Sequence, residues 1–237
     1  VIALTYDQHI QNAKDFLHFM KKRFIRLYPL LLFSTCMYWY FVHPHWNKKS
    51  QLLALDTLLL TNSTPILGTG IGMNYPSWSI SSEMISYLFF GSCSLIGIKL
   101  NKQWLVGIIT LACFGFLYTQ QNYFLLGDYG FIRGLACFNL GYFIFSLPFK
   151  NIKLPKAFEW VVLASIIGIM YAHFHLNQNN PYRIVLSLFI PINFAIAIFI
   201  LIHTNGIIGT FLQSKPMLFL GKISFSVYLN HAFIIGY

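Results

Sequence analysis

Apolar runs close to the length that crosses a membrane recur along this chain, at about 27–43, 79–97, 104–121, 131–149, 157–174 and 184–203, and a seventh begins near 223. A spanning helix needs roughly 17 to 25 such residues, because the hydrocarbon core is about 30 Å thick and a helical residue rises about 1.5 Å. In lipid the backbone polar groups must be satisfied within each segment, so runs at this density leave few alternatives to a bundle of helices. The expected fold is all-α: a polytopic transmembrane helical bundle of about seven spans, forming a single membrane domain over 1–237. Composition agrees, since 57% of the 237 residues are hydrophobic, 9% are charged and the mean hydropathy is +0.62. A soluble domain this long needs far more charge on its surface.

The net charge of +10 points to membrane headgroups rather than nucleic acid, because the basic residues form short clusters between the apolar runs. Counted over alternate loops, twelve Lys and Arg fall on one side, against Lys48, Lys49, Arg133 and Arg183 on the other. By the positive-inside rule "KKRFIR" is cytoplasmic and the loop holding Ser77 is outside. Between the first two runs, "SQLLALDTLLLTN" surrounds a lone Asp56 with leucines, which suits an amphipathic helix at the interface or packed on the bundle. Residues 61–77, rich in Gly, Pro, Ser, Thr and Asn, read as the longest loop. Four cysteines (Cys36, Cys93, Cys113 and Cys137) all sit in apolar runs without CxxC spacing and read as small buried hydrophobes. The chain starts at Val1 and ends at Tyr237 inside the run "ISFSVYLNHAFIIGY", which reads as a fragment of a longer protein.

Glu83 is the residue hardest to reconcile with lipid. In "YPSWSISSEMISYLFF", Ser79, Ser82, Glu83, Ser86 and Tyr87 recur at spacings of three and four, so they share a helix face, while Ile80, Met84, Ile85, Leu88 and Phe89 point elsewhere. Glu83 lies about 7–8 Å deeper than the interfacial Trp78. A carboxyl at that depth costs roughly 2–3 kcal/mol or more unless paired or protonated. Either it is a neutral group or interhelical bond that orients the bundle, or it is a catalytic carboxylate that orients a base, holds a proton or binds a substrate hydroxyl.

The stretch "KDFLHFMKKRFIRLYP" carries the second signal. Its Lys22, Arg23 and Arg26 serve either as a positive-inside anchor or as a fork for phosphate groups at the cytoplasmic face, because two arginines at i and i+3 share a helical turn. Two HxH pairs, His43 with His45 and His173 with His175, admit a zinc site in principle, but no carboxylate or thiolate lies nearby in sequence and interfacial polar residues explain them better, so no metal is expected. His231 is expected to pack within the bundle, while Asp128 and Glu159 sit near helix ends where charge is tolerated.

Taken in order, "FMKKRFIRLYPLLLF", "YPSWSISSEMISYLFF", "IRGLACFNLGYFIF" and "LGKISFSVYLNHAFI" resemble four motifs of the acyltransferase 3 family of integral membrane O-acyltransferases, and the resemblance covers essentially the whole chain. It implies a bundle of about ten spans in the full family. It also implies an acyltransferase that takes an acyl group, usually acetyl from acetyl-CoA at the cytoplasmic face, and passes it to a hydroxyl of a glycan, glycolipid or other acceptor at the outer face. Residue by residue, Glu83 matches the family's acid in the membrane, and Arg23 and Arg26 match its basic pair. Trp78, Ser79 and Arg133 match further motif positions and, with Lys22 and Ser82, complete the substrate-binding candidates. The acyl-CoA is a co-substrate, with no bound cofactor expected, and the setting implied is membrane lipid, most simply a bacterial inner membrane. The family's essential His, about ten residues after an Arg or Lys in an early helix, has no counterpart here, so the chain alone is expected to be inactive. One acid rather than two follows the Ser-rich turn, and Phe225 stands where Tyr is frequent.

Two other classes compete. A proton-coupled transporter would also use a buried acid, but it predicts interrupted helices and repeat symmetry that the hydropathy does not display. A purely structural or signalling protein leaves both the Glu83 face and the basic cluster unexplained.

Overall fold

The computed structural model describes residues 6, 9–42, 47–67, 69–96, 102–121, 129–146, 152–177 and 180–235. Among them every regular element is helical: α1 (Ala13–Val42), α2 (Lys48–Leu58), α3 (Trp78–Ile96), α4 (Lys102–Thr119), α5 (Gly130–Ser146), α6 (Ala157–His175), α7 (Pro181–His203), α8 (Ile207–Leu212) and α9 (Lys215–Ile235), with a 3-10 turn at Tyr75–Ser77 leading into α3. The fold is all-α, and each predicted apolar run falls on a helix. Two of the helices, α6 and α7, are long and apolar enough to cross a membrane, and Gln103–Thr119 and Gly130–Ile144 are shorter apolar helices.

The first boundary moves. Hydropathy alone begins the run near residue 27, whereas α1 begins at Ala13 and carries the basic cluster inside it. Lys, Arg and Met are strong helix formers whatever their polarity, and Asn12 Oδ1 accepts from the Asp15 amide at 3.0 Å to start the first turn.

Contacts divide the chain into two compact units. One comprises 1–113, 124–136 and 224–237, and the other 114–123 and 137–223, so α4, α5 and α9 contribute a part to each.

In the first unit α1 and α3 pack antiparallel. The Phe16 ring fills the space beside Gly91, where a Cβ would come within 2.5 Å of it. One turn on, Phe19 meets Tyr87 and Phe90 at centroid distances of 5.9 and 6.0 Å. At the far end, Asn74 Nδ2 donates to Ser34 Oγ at 2.7 Å.

Helix α2 is inside out. Its buried residues are Ser50, Ala54, Asp56 and Thr57, while Leu52, Leu55 and the adjoining Leu59 are 42%, 48% and 57% exposed. That is the distribution for a helix with its apolar face to lipid and its polar face to protein.

The stretch 61–77 is a loop, as expected, that turns much of its polar content inward. Asn62, Ser63, Asn74 and Ser77 are all buried, and at Gly72 (φ 74°) the backbone passes so close to Thr57 that a Cβ would sit 2.4 Å from its hydroxyl oxygen.

In the second unit α6 and α7 form an antiparallel pair around Val162, Ala197 and Ile200. Three polar links cross it, at Glu159–Thr204 (2.7 Å), Ser165–Asn193 (3.0 Å) and His173–Ser187 (3.2 Å). Interhelical hydrogen bonds of this kind contribute about 0.6 kcal/mol each in a membrane protein, so they fix register more than they add stability.

Candidate functional site

The antiparallel register of α1 and α3 brings Arg23 to the level of Tyr87. Its guanidinium carbon lies 5.5 Å from the centre of the Tyr87 ring, 5.3 Å from that of Phe19 and 4.9 Å from that of Tyr6. Cation–π contacts at such distances contribute about 0.5 to 2 kcal/mol, more when water is excluded. Arg23 Nε is buried and has no acceptor. Lys22 and Arg26 are exposed.

Tyr87 connects this cage to the acid. It is buried at 3% exposure, and its hydroxyl donates to Glu83 Oε1 one turn along α3. The donor to Glu83 is therefore a neutral hydroxyl rather than a cation. Burial of Ser82, Ser86 and Tyr87 bears out the polar face predicted for this helix. Two residues correct its outline: Ile80, expected to point elsewhere, is 1% exposed, and Ser81, left off the face, is fully buried.

Beside Glu83, α5 closes on α3. Gly134 permits the approach, since a Cβ there would lie 1.8 Å from Ser82 Oγ. The neighbouring Arg133 then reaches the level of Trp78, its guanidinium carbon 4.3 Å from the indole ring. The Ser82 hydroxyl is buried without a partner. The Ser79 hydroxyl donates to Pro76 O at 3.0 Å and helps begin α3.

Above the start of α3 lies a buried polar lattice. Asp56 takes the hydroxyls of Thr61 (2.5 Å) and Thr69, Asn62 Nδ2 donates to Ser77 Oγ at 2.8 Å, and Ser63 and Ser81 share a 2.7 Å bond. Through Ser34, which donates to Asn230 Oδ1 at 3.1 Å, the lattice reaches α9. Spacing alone did not single out these residues, nor Tyr6 and Phe19. The available signal was the density of uncharged Asn, Ser and Thr in an otherwise apolar chain.

A family model described as an acyltransferase domain matches residues 10–237. The chain belongs to the acyltransferase 3 family. No curated protein and no solved structure matches it. All the candidate residues named from the sequence fall inside the acyltransferase 3 match and within the first unit. The structure brings Glu83 to the hydroxyl of Tyr87, Arg23 to its ring, and Arg133 to Trp78.

The other polar residues of this acyltransferase 3 chain sort differently from expectation. Glu159 lies in the first turn of α6, the helix end expected for it, yet it is 1% exposed. Its carboxylate accepts from Thr204 Oγ1 and Gly206 N (both 2.7 Å), Ile208 N (2.8 Å) and Gly209 N (3.3 Å). Four donors from one turn compensate the charge, so burial is possible where a lone acid would be expelled.

His173 pairs with Ser187, whose hydroxyl donates to Arg183 O at 2.8 Å, and His175 packs on Tyr171. The HxH pair therefore points its members to different neighbours. His43, His45 and Asp128 lie outside the described residues. His231 accompanies the carbonyl of Tyr228 in its own helix at 2.5 Å.

Proposed function

We propose that this chain is the membrane domain, over 1–237, of an acyltransferase that moves an acyl group, in the simplest case acetyl, from acyl-CoA at the cytoplasmic face to a hydroxyl of a glycan or other acceptor at the outer face. The observation that carries the reading is a half-buried acid, Glu83, bonded to the hydroxyl of a tyrosine whose ring also meets a ring-caged arginine, Arg23, in a chain of the acyltransferase 3 family. The proposed setting is a bundle of about seven spans in a bacterial inner membrane, with "KKRFIR" towards the cytoplasm.

In the reaction the acceptor oxygen attacks the thioester carbon, its proton passes to a base, and the carbon–sulfur bond breaks to release CoA as thiolate. A base must be oriented, the oxyanion stabilised, and the highly anionic donor held near the membrane. Arg23, Arg26 and Lys22 supply positive charge for the donor's phosphates, with the arginines able to fork onto them. Glu83 holds the proton or orients the base. Trp78, Arg133, Ser79 and Ser82, around the outer start of α3, line the acceptor side.

The test is transfer of labelled acetyl from acetyl-CoA to glycan in membranes carrying the full-length protein, compared with its Glu83→Ala variant. Loss of transfer in the variant, with the protein still inserted, is the expected result. Undiminished transfer would remove Glu83 from the site. Donor-dependent movement of a solute with no covalent acyl product would replace the acyltransferase with a transporter.

A further inference from the structure

We infer that Tyr87 is a positioning residue of the proposed transfer: its hydroxyl fixes the Glu83 carboxyl while its ring face holds the Arg23 guanidinium, so one side chain sets both groups. The inference rests on the acyl-transfer reading and extends it to a residue that neither the charge pattern nor the chemistry requires.

A glutamate has three side-chain torsions to fix, and in a water-poor environment it will turn to whatever donor is near. Tyr87 is that donor at the helical i+4 position, where side chains meet. Its own ring is immobilised, being 3% exposed and packed edge-on to Phe19. A fixed donor passes its precision to the acid.

The same residue gives the two charges different partners. Arg23 faces Tyr87, Phe19 and Tyr6, and its Nε is left without an acceptor. An arginine that closed on Glu83 would neutralise the acid and spend the guanidinium. Held by ring faces instead, the cation keeps its in-plane N–H groups for an anionic group of the donor, because cation–π contacts use the face of the guanidinium and leave its edge open. Separate roles follow: the Tyr87 hydroxyl serves the acid and the Tyr87 ring serves the arginine.

Two variants divide these roles in membranes assayed with acetyl-CoA. Tyr87→Phe removes the hydroxyl and keeps the ring, so kcat should fall about 10- to 100-fold, the usual consequence of losing alignment at a reacting group, with the KM for acetyl-CoA within about twofold of the unsubstituted protein. Tyr87→Leu removes the ring as well and should raise that KM in addition. A purely structural Tyr87 would lower the amount of active protein in both variants and leave kcat per folded molecule and KM unchanged.

A second readout does not depend on turnover. The infrared band of the Glu83 carboxyl, identified by its loss in Glu83→Gln, should shift in Tyr87→Phe. An unshifted band with an unchanged kcat would overturn the inference. If the unsubstituted full-length protein transfers no acyl group while the band still shifts, the acyl-transfer reading has failed, and the role falls with it, although the bond exists. Should Tyr87→Phe not accumulate, fluorotyrosine at position 87 keeps ring and hydroxyl, strengthens the donated bond and weakens the ring's hold on a cation, so kcat reads the first change and the KM for acetyl-CoA the second. A graded change in kcat is then expected, and none would count against the role.

Discussion

Gly134 rests on Ser82 with no room for a methyl group, since a Cβ there would come within 1.8 Å of the hydroxyl oxygen and 3.1 Å of Ser82 Cβ. The contact sets how closely α5 approaches α3, and therefore whether Arg133 reaches Trp78. Gly134→Ala should destabilise the protein by about 1 to 3 kcal/mol, as overpacking does, and reduce transfer by moving the Arg133 guanidinium off the indole. Ser82→Ala added to it should restore part of the stability, because the oxygen is the nearest obstacle. Thermal unfolding in detergent of the two single variants and the double variant measures the coupling.

At the buried acid Glu159 the prediction concerns folding alone. A Cβ at Gly206 would sit 2.4 Å from the Glu159 carboxyl, so Gly206→Ala should displace the carboxylate from its donors. Glu159→Ala should lower the melting temperature more than Glu159→Gln, because the alanine leaves the amides of Gly206, Ile208 and Gly209 without an acceptor. Per folded molecule, acyl transfer should be unchanged in all three, since none of these groups lies in the unit that holds Glu83. A selective loss of turnover without loss of stability would contradict that assignment.

Asn74 and Ser34 are forty residues apart and bonded at 2.7 Å, a link from the start of α3 to the middle of α1. In a double-mutant cycle, Asn74→Ala and Ser34→Ala should couple by about 0.6 to 1.7 kcal/mol. Additive effects would mean that the bond does not hold the two helices together.

The two arginines of the basic cluster should behave differently. Arg26 is exposed and Arg23 is caged. Arg26→Ala is expected to alter stability by no more than about 0.5 kcal/mol, as surface substitutions do, and to raise the KM for acetyl-CoA about tenfold if it grips a phosphate. Arg23→Ala should raise the same KM and also lower the melting temperature, because three ring faces lose their cation. Titration of initial rates against acetyl-CoA, paired with unfolding curves, separates the two.

Much of the fold was legible in the order of residues. Apolar runs near spanning length became helices because helix is the one local structure that satisfies its own backbone in lipid. The polar face through Ser82, Glu83, Ser86 and Tyr87 followed from the helical period. Less legible was the start of α1, where charge hides a helix from hydropathy although it does nothing to break one. The stretch 61–77 was legible as a loop from its Gly, Pro, Asn and Ser, but its burial was not, because Asn62, Ser63 and Met73 bond within it and to α2 and α3.

What the sequence by itself determined is the all-helical class, the membrane composition, the family and the existence of one costly acid on a polar helix face, because each depends on local period, length or a short motif. Only the tertiary structure decided what that acid meets. The Glu83–Tyr87 bond is the local i,i+4 pairing of one helix; that no arginine reaches Glu83, that Arg23 faces three rings with its Nε unpaired, and that Gly134 admits Arg133 to Trp78 depend on how α1, α3 and α5 are offset along their axes. An offset is set by side chains far apart in the chain, such as Phe16 on Gly91 and Asn74 on Ser34, and no local spacing encodes it.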